Sequence, residues 1–240
     1  MLNIDNLVRK FDEYYYKYLD YNDKSSFFCS KNDNFKVNGF IYPMIISYYK
    51  DNIISSVSSK YYGSVKNNLE IDKNVFEMEK YLTDFFLKTD ENFIIQRMKR
   101  MSKIKDANIS ISEVICINEE HKNLFFNSFI YNKDEEYKQL KWEKLLKNTY
   151  INGIIKDNKI VSLGFVSNID CGGANIVIQT VEGYRNKGYG KMIVEKISRD
   201  VLKDGILPIY WVNEENTCSI KLAESLGFET QVLETVVRHE

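Results

Sequence analysis

Residues Ile4, Leu7, Val8, Phe11, Tyr14, Tyr15 and Tyr18 recur at three- and four-residue spacing with Lys and Asp between them, the pattern of an amphipathic helix that turns one stripe to a core. The period then changes. Over residues 40–62 two runs of β-branched and aromatic residues flank Lys50-Asp51-Asn52, and Pro43 stands near the start of the first, where a missing N–H does least harm. A β-hairpin is expected there. Helical spacing returns with Val75, Met78, Leu82, Phe85 and Phe86, and residues 93–106 (FIIQRMKRMSKIKD) read as a short basic helix. The chain turns polar at Asp106–Asn108, which places a domain boundary between 1–107 and 108–240.

Beyond that boundary, residues 112–117 (SEVICI) read as a short strand, and 119–129 and 134–148 as two helices opened by acidic residues, which suit the positive end of a helix. Residues 150–169 read as two strands joined by a tight turn at Asp157-Asn158-Lys159, and Gly172-Gly173 precedes a third strand, ANIVIQTV (174–181). A glycine-containing loop, a helix from about Gly188 to Lys203, the strand LPIYWV, a helix from about Thr217 to Leu226 closed by Gly227, and a last strand, ETQVLETVVRH, complete the chain. The order β-α-α-β-β-β-α-β-α-β makes this half a mixed α/β (α+β) fold. The first half is an N-terminal α/β extension.

Composition narrows the function. Hydrophobic residues at 44 % and charged residues at 28 % describe a globular chain with a sizeable core. With 33 Lys plus Arg against 34 Asp plus Glu, no overall field draws it to nucleic acid or an anionic membrane. No stretch reaches the roughly 18 apolar residues of a membrane span, and the first residues lack a signal-peptide core, so the expected location is the cytoplasm. Cysteines Cys29, Cys116, Cys171 and Cys218 form no CxxC pair, and His121 and His239 lie far apart, so neither a disulfide framework nor a metal site is expected. Cys116 reads as buried in its strand, Cys171 as more exposed and His121 as a helix-surface residue. The cluster Arg97, Lys99, Arg100, Lys103 and Lys105 reads as a solvated helix face in preference to a nucleic-acid surface.

Chemistry concentrates at Arg185-Asn186-Lys187-Gly188-Tyr189-Gly190-Lys191, between an expected strand and an expected helix. Two glycines leave room for a backbone to approach a ligand, and N–H groups at the helix start point at an anion such as a pyrophosphate. Three cations at a positive helix end oppose the dipole unless an anion joins them. A phosphate-binding Walker A loop fails here, because Tyr189 stands where its Lys belongs; a Rossmann fingerprint fails because Ile193 occupies the third glycine position.

The phrase TVEGYRNKGYGK resembles the Arg/Gln-x-x-Gly-x-Gly/Ala pyrophosphate loop of the GCN5-related N-acetyltransferases (GNAT), and Asn213–Ser219 followed by LAESLGFE is similar to that family's next element. The likeness is dense over residues 180–229. It implies a GNAT fold: a mixed central sheet with splayed strands flanked by helices. It also implies acetyl-CoA as co-substrate, with the backbones of Ile178 and Thr180 pairing with pantetheine, Ile178 N–H polarising the thioester carbonyl, and Arg185, Asn186, Lys187, Gly188, Tyr189, Gly190 and Lys191 holding the pyrophosphate. Asn216 is either a helix N-cap or a contact to the pantetheine arm or sulfur. The implied reaction is direct acetyl transfer to a primary amine of a small molecule or peptide by a monomer or homodimer, with no nucleic acid, membrane or metal involved. The same phrases, with the long N-terminal extension, are similar to the bacterial group that includes the zwittermicin A resistance acetyltransferases. That extension reads as a degenerate acetyltransferase-like half or a lid.

The sequence departs from the family at one catalytic position. Ala223 stands where many members carry the Tyr that protonates the leaving thiolate. Cys218, Ser219 and Tyr210 are candidate substitutes, and Glu182 and Glu214 candidate bases, each with a plainer structural reading. The rival class is a non-catalytic acyl-CoA-binding module.

Overall fold

A computed structural model describes residues 4–21, 27–31, 36–37, 40–68, 75–88, 92–128, 130–131 and 133–239. The first elements are α1 (Ile4–Tyr18), β1 (Phe27–Lys31), β2 (Lys36–Val37), β3 (Phe40–Ile41), β4 (Met44–Tyr49), β5 (Asn52–Val57), α2 (Ser59–Asn68), α3 (Val75–Leu87) and β6 (Phe93–Lys103). There follow β7 (Ile115–Cys116), α4 (Lys122–Phe126), α5 (Glu135–Leu146), β8 (Ile151–Lys156), β9 (Lys159–Asp170) and β10 (Gly173–Thr180). Last come α6 (Tyr189–Lys203), β11 (Leu207–Asn213), α7 (Thr217–Glu224) and β12 (Phe228–His239). No helix among the described residues is long and apolar enough to cross a membrane.

The chain divides into two compact units. One is built mainly from Ser102–Tyr210 and Cys218–Glu229, the other from Val8–Met101, Trp211–Thr217 and Thr230–Glu240, so β6, β11 and β12 each contribute residues to both.

In the first unit the strand order is β11-β10-β9-β8-β7. Only β10 and β11 run parallel there; the other neighbours are antiparallel. The β8–β9 turn places Asp157 and Asn158 at φ 51° and 54°, the left-handed pair that a two-residue hairpin needs. One sheet face is covered by α4 and α5 through Phe125, Trp142, Leu145, Leu163 and Phe165. The other is covered by α6, whose Ile193, Val194, Ile197 and Val201 are fully buried. Gly164 makes that approach possible, since a Cβ there would lie 2.5 Å from Ile193 Cγ2.

In the second unit β1 pairs parallel with β5, β4 with β5 through a turn at Lys50 and Asp51 (φ 50° and 62°), and β4 with β12. Its core joins Met44, Ile46, Val57, Tyr61, Val65, Leu82 and Phe86. Residues 59–62, expected as the end of a strand, open α2 instead.

The basic run is a second correction: residues 93–103 form a strand, and Arg100 and Lys103 are buried at 3 % and 0 % exposure. Ile94, Met98 and Met101 fit helical spacing, but from Arg100 to Ile104 every side chain is buried, which a solvated helix face does not allow. Each cation has its own carboxylate, Arg100 on Glu234 (2.8 Å) and Lys103 on Glu195 (2.7 Å). Cys116 also differs, being exposed, because it lies on an edge strand between Ile115 and Ile117, the two residues that face the core cluster.

Candidate functional site

Strand β10 carries the backbone of the site. Its parallel ladder with β11 covers Gly173, Ala174 and Asn175 against Leu207, Pro208 and Ile209, and extends no further. On its other edge β10 stays paired with β9 to the end, Thr180 opposite Ser162. Just beyond, Val181 N–H donates to Val161 O at 2.9 Å, so the odd-numbered residues of β10 exchange hydrogen bonds with β9. Alternation then turns the N–H and C=O groups of Ile178 and Thr180 to the edge that β11 has left. The splay expected of the central strand is therefore present, and these two residues carry its free backbone groups.

One of those groups already has a guest. Thr180 O accepts a hydrogen bond from Arg185 Nε at 3.3 Å, while the Thr180 hydroxyl bonds the buried Ser162 hydroxyl at 2.7 Å. Ser162, which sequence reading passed over, thus holds the end of β10 from beneath.

The loop after β10 makes one 3-10 turn at Glu182–Tyr184, closed by Arg185 N–H on Glu182 O at 3.1 Å. Asn186 (φ 62°) and Gly188 (φ 82°) then adopt left-handed conformations on either side of Lys187. Such alternation turns successive N–H groups to one side and outlines a hollow, the backbone geometry of nests that bind anions in other proteins. A Cβ on Gly188 would meet nothing within 4 Å, so glycine serves conformation there. Helix α6 follows, and its first intrahelical bond is Met192 N–H to Gly188 O at 3.1 Å. That leaves the N–H groups of Tyr189, Gly190 and Lys191 free of intrahelical partners at the positive end of the helix, with no acidic residue in its first turn.

Gly190 has a different reason to be glycine. Its Cβ would lie 3.0 Å from Leu222 Cδ1, 3.5 Å from Ile178 Cγ1 and 3.7 Å from Thr180 Oγ1, so this residue lets α6, α7 and β10 meet. Around the hollow, Arg185, Asn186 and Lys187 are exposed and Lys191 is half-buried. Lys187 Nζ lies 4.8 Å from the Tyr184 ring. Tyr184 donates to Asp157 at 2.6 Å, and this bond raises its hydroxyl pKa.

The residues considered for proton transfer are scattered. Ala223 is fully buried in α7. Tyr210 packs on Phe228 (5.8 Å between ring centroids) and shares a hydrogen bond with Ser219; burial raises its pKa and that bond opposes the rise. Cys218 and Glu182 are exposed. In the other unit, Glu214 N–H donates to Arg97 O at 3.0 Å, and Asn216 is exposed just ahead of α7, its N–H on Asn213 O at 3.0 Å. The Asn213 side chain accepts Glu215 N–H at 2.8 Å in this turn.

Residues 159–237 match a family model described as FR47-like protein. No curated protein sequence matches the chain. Among solved structures, a GNAT-family acetyltransferase from Colwellia psychrerythraea aligns with a TM-score of 0.54 at 15 % identity, covering 68 % of this chain and 63 % of its own, so this chain matches less than two thirds of that protein. A GCN5-related N-acetyltransferase-like protein from Streptococcus suis aligns with a TM-score of 0.45 at 15 % identity, covering 68 % of each chain. The fold is that of the GNAT acetyltransferases.

Proposed function

We propose that this chain is an acetyl-CoA-dependent N-acetyltransferase acting on a primary amine. The observation that carries the reading is the hollow at Asn186–Gly188, opening α6 beside the free edge of β10. Bound acetyl-CoA supplies an acyl group already activated as a thioester, so the chain needs no nucleophile of its own. The amides of residues 188–191 receive the pyrophosphate charge, and Arg185, Lys187 and Lys191 neutralise it. Ile178 N–H donates to the carbonyl oxygen as negative charge grows there. Thr180 O accepts an amide N–H of the pantetheine arm once Arg185 turns to the phosphates. The acceptor nitrogen bonds to the acyl carbon, the carbon–sulfur bond breaks, and the amine proton passes to solvent or to the departing sulfur. A thiol pKa of about 8.5 makes that sulfur a fair leaving group without a Tyr at Ala223.

The test of the site is Gly188→Asp, which sets a carboxylate in the hollow. Calorimetric titration with acetyl-CoA is expected to show affinity lowered about tenfold or more, roughly 1.4 kcal/mol, with a cooperative melting transition kept at a somewhat lower temperature, since Asp at φ 82° costs about 1 kcal/mol. Unchanged affinity would defeat the assignment. Ala223 also favours a second reading, acyl-CoA binding without turnover. CoA release on addition of peptides, polyamines or antibiotic amines separates the two. The antibiotic arm also addresses the finer likeness to the zwittermicin A resistance group. We place the protein in the cytoplasm, as a monomer or homodimer.

A further inference from the structure

Arg185 stands at the joint between the strand edge and the hollow. Its backbone is fixed: Arg185 N–H closes the 3-10 turn on Glu182 O at 3.1 Å, and Tyr184 beside it is anchored by its N–H on Val181 O at 2.9 Å and by its hydroxyl on Asp157 at 2.6 Å. Its side chain is exposed, yet it folds back five residues, and Nε donates to Thr180 O at 3.3 Å. The acceptor cannot follow the arginine. Thr180 pairs with Ser162 across β9 and β10, and its hydroxyl is bonded to the buried Ser162 hydroxyl at 2.7 Å. Of the two partners, Arg185 is the one able to swing.

The carbonyl it covers belongs to the edge of β10 that β11 leaves, where an extended ligand adds its own N–H as a neighbouring strand would. A guanidinium gains little from a neutral carbonyl at 3.3 Å. A phosphate oxygen is the better acceptor, because its charge makes the bond roughly twice as strong. Arg185 is three positions ahead of Gly188, the residue that opens α6, so the side chain that covers the strand edge also borders the hollow.

Resting on the transferase reading, we infer that Arg185 is a latch that sets donor specificity: it covers Thr180 O until a diphosphate draws it away. The pantetheine arm then pairs fully with β10 only in donors that carry a diphosphate. The donor class is acyl-CoA, and acyl groups on bare pantetheine are disfavoured by the arginine itself as well as by the phosphate contacts they lack. Diphosphate and pantetheine, bound at separate places, each strengthen the binding of the other.

The experiment titrates the full chain calorimetrically with acetyl-CoA, and with S-acetylpantetheine in the absence and presence of saturating inorganic pyrophosphate. S-acetylpantetheine is uncharged, so direct attraction to pyrophosphate does not enter. In wild type, pyrophosphate is expected to tighten S-acetylpantetheine binding roughly threefold to tenfold, the worth of one modest hydrogen bond. Arg185→Ala should bind S-acetylpantetheine more tightly than wild type by a similar factor and gain nothing further from pyrophosphate; a merely structural role for Arg185 would weaken both donors. S-acetylpantetheine affinity that pyrophosphate leaves unchanged in wild type, or that Arg185→Ala leaves unchanged or lowers, overturns the inference while acetyl-CoA binding persists. So does the absence of measurable S-acetylpantetheine binding in both proteins. Failure of wild type to bind acetyl-CoA defeats the transferase reading instead.

Discussion

Lys141 and Trp142, adjacent on α5, carry opposite kinds of imbalance. The ammonium of Lys141 is disfavoured by burial and by the neighbouring charge of Lys144: its folded pKa lies below the usual lysine value, so the folded state holds that proton less tightly than the unfolded chain does. The penalty is therefore fully present at neutral pH and disappears as pH rises through the lowered pKa to about 10.5, where the unfolded chain also gives up its proton. Lys141→Met is expected to melt at or above the wild-type temperature at pH 7, with the difference narrowing near pH 10.5; a variant that melts well below wild type at pH 7 would contradict this. Trp142 is buried at 1 % exposure with its ring 5.0 Å from that of Phe125, yet its Nε1 has no acceptor among the described residues. Trp142→Phe keeps most of the packing and removes an unsatisfied donor, so its effect should stay within about 1 kcal/mol, against about 3–5 kcal/mol for Trp142→Ala. Urea unfolding of both variants checks the contrast.

Three elements of the second unit converge on Glu234 of β12. Arg100 of β6 grips it with Nε at 2.8 Å and Nη2 at 3.1 Å, Tyr15 of α1 donates at 2.9 Å, and Trp211 of β11 donates at 2.7 Å. Arg100 Nη1 also donates to the Tyr14 hydroxyl at 2.6 Å, and its guanidinium lies over the Tyr18 ring at 4.3 Å. Burial pulls the Arg100 pKa down, but Glu234 and the tyrosines more than offset it. Glu234→Ala strands a buried guanidinium, and equilibrium unfolding should show a loss of about 3–5 kcal/mol. A loss under about 1 kcal/mol would mean that water reaches the pair. This network was not legible in the sequence, because Arg100 sits in a run whose Ile94, Met98 and Met101 fit the helical period. Only pairing with strands far along the chain decided for β6. By contrast, α6 and the turn before it were legible because an amphipathic repeat, Gly188 and its basic neighbours act within a few residues of one another.

At the scale of the whole molecule, β6, β11 and β12 each contribute to both compact units, so the chain does not divide at one peptide bond. A fragment of residues 108–240 retains Glu234 but not Arg100, and is expected to lose the cooperative thermal transition seen by circular dichroism for the full chain. A sharp transition near the full-length temperature would show instead that this half folds alone. The sequence by itself determined the features set by near neighbours: the left-handed turns, the helix that follows the basic loop, and the alternation of strands and helices. The tertiary structure alone decided which edge of β10 is free, that Ser162 supports it, and that Arg100 and Lys103 are buried. Those outcomes depend on partners as remote as Arg100 and Glu234, 134 positions apart, and a hydrophobic or charge pattern read locally carries no information about which distant strand will supply the other half of the contact.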